Sequence, residues 1–224
     1  MIAYIDILAT KSILNTADDT RTKEFIRQLR DIYHEMGASE NANVRIFSDN
    51  ILIFEEYSED AVQRVVGMAS QFQFRLIMEN GLLCRGGILR GQLYYDDNFV
   101  IGKGLVDVYT IESVIAQSPR ILVDETISDS SDSILLFENA RIVDYLDNLI
   151  AEEDEYPNPT YLLRHRKSIL ENQAKVKLSS DPDESEKMKL KYTWLIAYHN
   201  YYCNLYEMDE KYLINESYIK WEYE

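Results

Sequence analysis

Residues 44–54 read Val-Arg-Ile-Phe-Ser-Asp-Asn-Ile-Leu-Ile-Phe, two short β runs broken by Ser48 and Asp49. β-branched and aromatic residues fit a pleated strand, and Asp and Asn tolerate the positive φ of a tight turn. The stretch therefore predicts a β-hairpin. Working outward, the opening AYIDIL (residues 3–8) reads as a buried strand. Between them, Phe25, Leu29, Ile32, Tyr33 and Met36 fall on one face of a helix predicted over 20–36. Past the hairpin, Val62, Val65, Val66, Ala69, Phe72 and Leu76 mark a second helix from about residue 59. Glu59 and Asp60 in its first turn suit the positive end of the helix dipole.

Further along, LLCRGGILRG (82–91) predicts a strand, and QLYYDD with NFVIGKG (92–104) a second hairpin whose solvated turn is Tyr94, Tyr95, Asp96 and Asp97. Gly104, Val108, Ile111 and Ile115 line a short helix, and PRILVDE (119–125) closes the set as a strand. The order β-α-β-β-α-β-β-α-β excludes a purely parallel, doubly wound sheet. It predicts an α+β, ferredoxin-like sandwich with a mainly antiparallel sheet and helices on one face. From residue 126 the character changes to a polar loop, a short strand (140–146) and the acidic segment AEEDEYPNP (151–159). Two helices follow, predicted over 160–178 and 182–206, the second with Asp181 as N-cap and Pro182 in the first turn. The organisation expected is thus a core at 1–125 and a C-terminal extension at 126–224 packed on it.

The whole chain of 224 residues, with 46 % apolar residues but only eight glycines and four prolines, is long and apolar enough to bury a real core. Thirty-nine acidic against 23 basic side chains give a net charge of −16, which argues against a surface gripping nucleic acid or anionic membrane. No apolar run reaches the ~20 residues of a membrane span. Cys84 and Cys203 lie far apart with no signal peptide ahead of them, so a reduced, cytoplasmic protein is expected. His34, His165 and His199 have no zinc-site spacing with these cysteines, and Gly-Lys-Gly at 102–104 is not a Walker-type loop.

Two carboxylates stand out. Asp6 interrupts a buried apolar strand, and Asp49 sits at the tip of the hairpin. A charge so placed needs a partner or a cation, unless backbone hydrogen bonds satisfy it. If the first strand lies beside the hairpin, both acids project from one end of the sheet. Two hard oxygen ligands there suit Mg²⁺ or Mn²⁺.

In order and spacing, YIDIL, RIFSDNILIF, CRGGILRGQLYYDD and GKGLVDVYTIE resemble the class III nucleotide cyclase catalytic domain over about residues 1–125. The compact arrangement most resembles the Pycsar-type bacterial pyrimidine cyclases of anti-phage signalling. The resemblance implies that Asp6 and Asp49 hold two divalent cations, Mg²⁺ or Mn²⁺, with the Ile7 carbonyl beside them. Ser48 takes the place of the hairpin glycine in the Lys-x-x-Gly-Asp pattern. It also implies a nucleoside triphosphate substrate, UTP or CTP, and a head-to-tail homodimer with composite sites. The backbone from Ile7 and Leu8 to Lys11 is expected to cradle phosphate, with Lys11 or Lys103 adding positive charge. Arg45 falls where purine-specific members carry a base-reading lysine, and its fork suits a carbonyl oxygen. The family's Asn and Arg on the following helix align here with Val106 and Thr110, which cannot replace them. Arg85, Arg90 and Lys103 are the cations that would serve instead. Two other readings share the acid pair: a degenerate cyclase homologue that binds a nucleotide or protein, and a two-metal nuclease or polymerase palm, which the acidic charge disfavours.

Overall fold

The computed structural model describes residues 1–8, 19–36, 42–150, 156–178 and 180–223. Its centre is a seven-stranded sheet in the order β2-β3-β1-β4-β7-β9-β8. Those strands are β1 (Ile2–Ile7), β2 (Asn43–Phe47), β3 (Asn50–Phe54), β4 (Cys84–Leu89), β7 (Ile121–Val123), β8 (Ile134–Phe137) and β9 (Ala140–Val143). Only the β4–β7 pair is parallel; the other pairs are antiparallel. The hairpin read from residues 44–54 is present as β2 and β3, and the positive φ of its turn falls on Ser48, at 57°. The second hairpin, β5 (Tyr94–Tyr95) with β6 (Val100–Ile101), is a separate two-stranded ribbon. Its turn is closed by Asp96, whose carboxylate accepts from the Asn98 and Phe99 amides at 2.7 and 3.0 Å.

Among the described residues, five helices pack on this sheet: α1 (Asp19–Met36), α2 (Glu59–Arg75), α3 (Lys103–Thr110), α4 (Pro159–Gln173) and α5 (Pro182–Leu205). π-helical turns at Leu76–Asn80 and Ile111–Ile115 prolong α2 and α3. Ser58 caps α2 by accepting from the Ala61 amide at 3.1 Å, and Asp181 caps α5 by accepting from the Asp183 amide at 2.9 Å. The residues read as the end of a longer α4 instead form β10 (Lys177–Leu178), which pairs with β11 (Glu222–Tyr223).

The period-two alternation of β1 sorts its side chains to two faces. Ala3, Ile5 and Ile7 pack against Ile32 of α1 and Val62, Val65, Ala69 and Phe72 of α2. Ile2, Leu52, Phe54 and Leu89 turn the other way, toward Val108 of α3 and Leu162, Leu195 and Tyr198 of α4 and α5. Helices therefore cover both faces, not the single face the element order suggested. The physical reason is that α3 turns its apolar side to the second face and the extension, also apolar on its inner side, joins it there with a helical layer and adds two strands to the sheet. Each aliphatic side chain buried there contributes about 1.5–3 kcal/mol relative to exposure. Among the described residues, no helix is long and apolar enough to cross a membrane.

Candidate active site

Asp6 alternates with Tyr4 and Ile2, so its side chain belongs to the second face, at the end of β1 farthest from Met1. The antiparallel register places it opposite Asn50 on β3 and opposite Arg85 on β4. One residue on, the Ile7 amide donates to the Asp49 carbonyl at 2.9 Å, which ties the hairpin tip to the end of β1. The two acids read from the sequence are thus neighbours at one sheet end, and Asp49 is among the charges that raise the Asp6 pKa.

A third carboxylate joins them. Glu112, in the π-helical turn after α3, is only 3 % exposed. Its Oε1 lies 2.6 Å from Arg85 Nε, which is 3.7 Å from Asp6 Oδ2. Glycine at 87 allows this approach, since a Cβ there would stand 2.6 Å from the Ile111 side chain. Three carboxylates against one guanidinium leave a surplus of negative charge. Burial, then Glu112 and Asp49, push the Asp6 pKa up to about 6, against the opposing pull of Arg85 and Lys191. Burial also raises Glu112, with Arg85 opposing. The phenol of Tyr4, edge-on to Tyr109 at 5.8 Å, is pushed up to about 12 by burial and by Glu112 and Asp6.

Asp6, raised by burial and by the neighbouring Glu112 and Asp49 charges, is an acid that a divalent cation would relieve, and the oxygen donors present fit Mg²⁺ or Mn²⁺. Among the described residues, no three His, Cys, Asp or Glu side chains converge on a metal position. Asp6 and Asp49 are the side chains that would hold such an ion, with backbone or substrate oxygens completing the set. Ile7 can contribute only its main chain, because its side chain is buried among the α1 and α2 contacts.

The other sequence candidates divide by location. Arg85 is in the cluster. Arg45 is exposed on edge strand β2, opposite Leu52, on the same face as Asp6, and among the described residues donates only to the Val44 carbonyl at 3.2 Å. Arg90 is not brought to the acids: it follows Leu89, which pairs with Ile2, and stacks 4.4 Å from the Tyr57 ring centroid at the opposite sheet end. Lys103 is at that end too, beside the Gly91–Gln92 turn, and is ion-paired to Asp107. The Ile7 amide is taken by Asp49 and the Leu8 amide by Leu83 at 2.8 Å, so neither N–H points to a phosphate. Lys11 lies outside the described residues. Val106 is 64 % exposed, and the Thr110 hydroxyl donates back to the Val106 carbonyl at 2.9 Å. An apolar cavity of about 480 Å³ between α1 and β2, lined by Phe25, Leu29, Tyr33 and Ile46, does not include the acids.

Glu112 escaped the sequence reading, although its signal was present. It stands four residues after Val108 and eight after Gly104, a carboxylate on the apolar stripe of a helix.

No family model matches the chain, and no curated protein matches it in sequence. Among solved structures, it is similar to the adenylyl cyclase CyaB from P. aeruginosa at 12 % identity, over 63 % of this chain and 90 % of that one, with a TM-score of 0.42. It is similar to the guanylyl cyclase Cya2 at 15 % identity, over 63 % of this chain and 88 % of that one, with a TM-score of 0.39. The guanylate cyclase domain of RhGC from Catenaria anguillulae, solved in complex with GTP, is similar at 13 % identity, over 63 % of this chain and 91 % of that one, with a TM-score of 0.39.

Proposed function

We propose that the chain is a nucleotide cyclase that converts a nucleoside triphosphate, UTP or CTP, to a 3′,5′-cyclic nucleotide and pyrophosphate. The observation that carries this reading is the acid pair: Asp6 and Asp49 meet at one sheet end, with the Asp6 pKa raised to about 6. In the reaction the ribose 3′-oxygen bonds to the α-phosphorus as the bond to the β-phosphate oxygen breaks, and the 3′-proton is lost. Asp6 and Asp49 would hold two Mg²⁺ or Mn²⁺ ions, which when bound favour the 3′-alkoxide and the departing pyrophosphate. Arg85, gripped by Glu112, sets the charge and position of Asp6 from the side away from β3. Arg45, open on the same face, is the donor for a base carbonyl, which accords with a pyrimidine.

The face around the acids also carries Phe47, opposite Asn50, and Tyr109, against Tyr4, both more than half exposed. A second copy packed there would bury them and form composite sites, as a cyclase homodimer requires. Anti-phage signalling is the setting that the pyrimidine-cyclase resemblance suggests. The competing reading, a degenerate homologue that binds nucleotide without turnover, is favoured by Val106 and Thr110, whose side chains offer no cation.

Incubation with ATP, GTP, CTP and UTP in turn, with Mn²⁺ present and products weighed by mass spectrometry, separates the two. One cyclic pyrimidine nucleotide plus pyrophosphate, both lost in Asp6→Ala, is the expected result. No product from any nucleotide overturns the cyclase reading in favour of the binding module.

A further inference from the structure

The second face carries a cation that the strand and hairpin motifs do not contain. Lys191 lies in α5, and Leu195, Tyr198 and Tyr202 follow it at four, seven and eleven residues, all buried. That spacing is one stripe of an α-helix, so Lys191 stands on the inward stripe of α5, one turn nearer the N-terminus than Leu195. Leu195 and Tyr198 pack in the same core as Val108, Ile111 and Leu122, which fixes the stripe against the sheet face that bears Asp6 and Arg85. Lys191 is half-buried, and among the described residues it has neither a hydrogen bond nor an ion pair. The charges it senses are those of the candidate site: burial and Arg85 lower its pKa, and Asp6 raises it.

Of the other cations, Arg85 is held by Glu112 at 2.6 Å and Arg45 is exposed on edge strand β2, while Lys103, paired to Asp107, and Arg90, stacked on Tyr57, lie at the far sheet end. On α3, Val106 and Thr110 offer none. We propose that Lys191, carried by the C-terminal helical layer, is the residue that contacts the triphosphate of the substrate. It supplies from α5 the positive charge that α3 lacks. An ammonium on a flexible stem suits this role, since it meets a phosphate as a point charge from any direction. The extension is then part of the active site, not only a cover for the sheet.

This inference rests on the cyclase reading, and the test keeps the two apart. Inorganic tripolyphosphate, with Mn²⁺ present, is titrated calorimetrically into the full chain as wild type, Lys191→Met, Lys191→Arg and Asp6→Asn. Lys191→Met keeps the apolar stem and the packing, and its melting temperature checks the fold. Loss of one charge-assisted contact weakens tripolyphosphate binding by about tenfold or more in Lys191→Met. Lys191→Arg recovers most of the affinity. In turnover assays Lys191→Met raises KM for the nucleotide, with Mn²⁺ affinity unchanged. Unchanged tripolyphosphate affinity in Lys191→Met, while Asp6→Asn abolishes turnover, overturns the role of Lys191 and leaves the cyclase reading standing. Tighter Mn²⁺ binding in Lys191→Met, with tripolyphosphate affinity unchanged, marks the lysine as a counter-ion to the acids and also overturns it. If wild type and Asp6→Asn are equally without turnover, the cyclase reading itself fails.

Discussion

The second face holds two buried polar clusters, and they are built on opposite terms. In the helical layer, the Asp144 carboxylate accepts hydroxyls from Tyr198 and, at 2.6 Å, from Tyr202, while its own amide donates to Ser133 at 2.9 Å. Beside it runs a chain from Tyr145 through His165 and His199 to the Tyr212 carbonyl, with links of 3.0, 2.9 and 2.8 Å. The carbonyl fixes every proton in that chain. His199 must donate from Nε2, so its Nδ1 accepts from His165 Nδ1–H, and His165 Nε2 accepts the Tyr145 hydroxyl. Both rings are neutral and each of their nitrogens has a partner. At the sheet end, by contrast, Asp6 and Glu112 share one guanidinium with Asp49 beside them, and Asp6 is left with a pKa near 6. A closed network stabilises and specifies a fold, whereas an open, overcharged one is held ready for a ligand.

The comparison breaks most visibly under mutation of the open cluster. Asp6→Asn should reduce cyclic-nucleotide formation by at least about a hundredfold. Its melting temperature without metal at pH 7 should stay the same or rise, because a mutually repelling charge is removed. Asp144→Ala should do the reverse. It strands two buried phenols and costs about 2–4 kcal/mol, read as a fall in melting temperature of roughly 5–15 °C.

The histidine chain sharpens the contrast through pH. Burial depresses both imidazoles, His165 well below its usual range and His199 to about 4. Below the unfolded value of ~6.5 the unfolded chain takes up protons that the folded chain refuses, so stability falls as pH drops from 6.5 toward 4. At pH 5 His199 alone accounts for about 2 kcal/mol of that loss, and His165→Gln should flatten the dependence in thermal melts. The smallest effect is at the hairpin turn. Ser48 holds φ at 57°, a conformation glycine adopts without a Cβ penalty, so Ser48→Gly should raise stability by about 0.5–1 kcal/mol in denaturant melts.

Much of this architecture was legible because it is local. The alternation in β1, the turn residues between β2 and β3, and the Asp181-Pro182 start of α5 each state their structure within a few residues. The nearness of Asp6 to Asp49 followed once the first strand was set beside the hairpin. Glu112 and Lys191 are less legible for one shared reason: each is a charge on an apolar helical stripe, and the period of such a stripe is carried by its apolar members. What such a charge meets depends on tertiary packing, α3 against Gly87 for one and α5 against the second face for the other. Arg90 shows the converse limit. It is only five residues from Arg85, yet that distance along a strand carries it to the far end of the sheet.

The central claim is that the open acid cluster is a divalent-cation site, and calorimetric titration of Mn²⁺ at pH 7 tests it most directly. The account predicts saturable Mn²⁺ binding to the wild-type chain, lost in both Asp6→Asn and Asp49→Asn and retained in a His165→Gln control. Binding that survives both substitutions, or no binding to the wild type at millimolar Mn²⁺ with tripolyphosphate present, would contradict it.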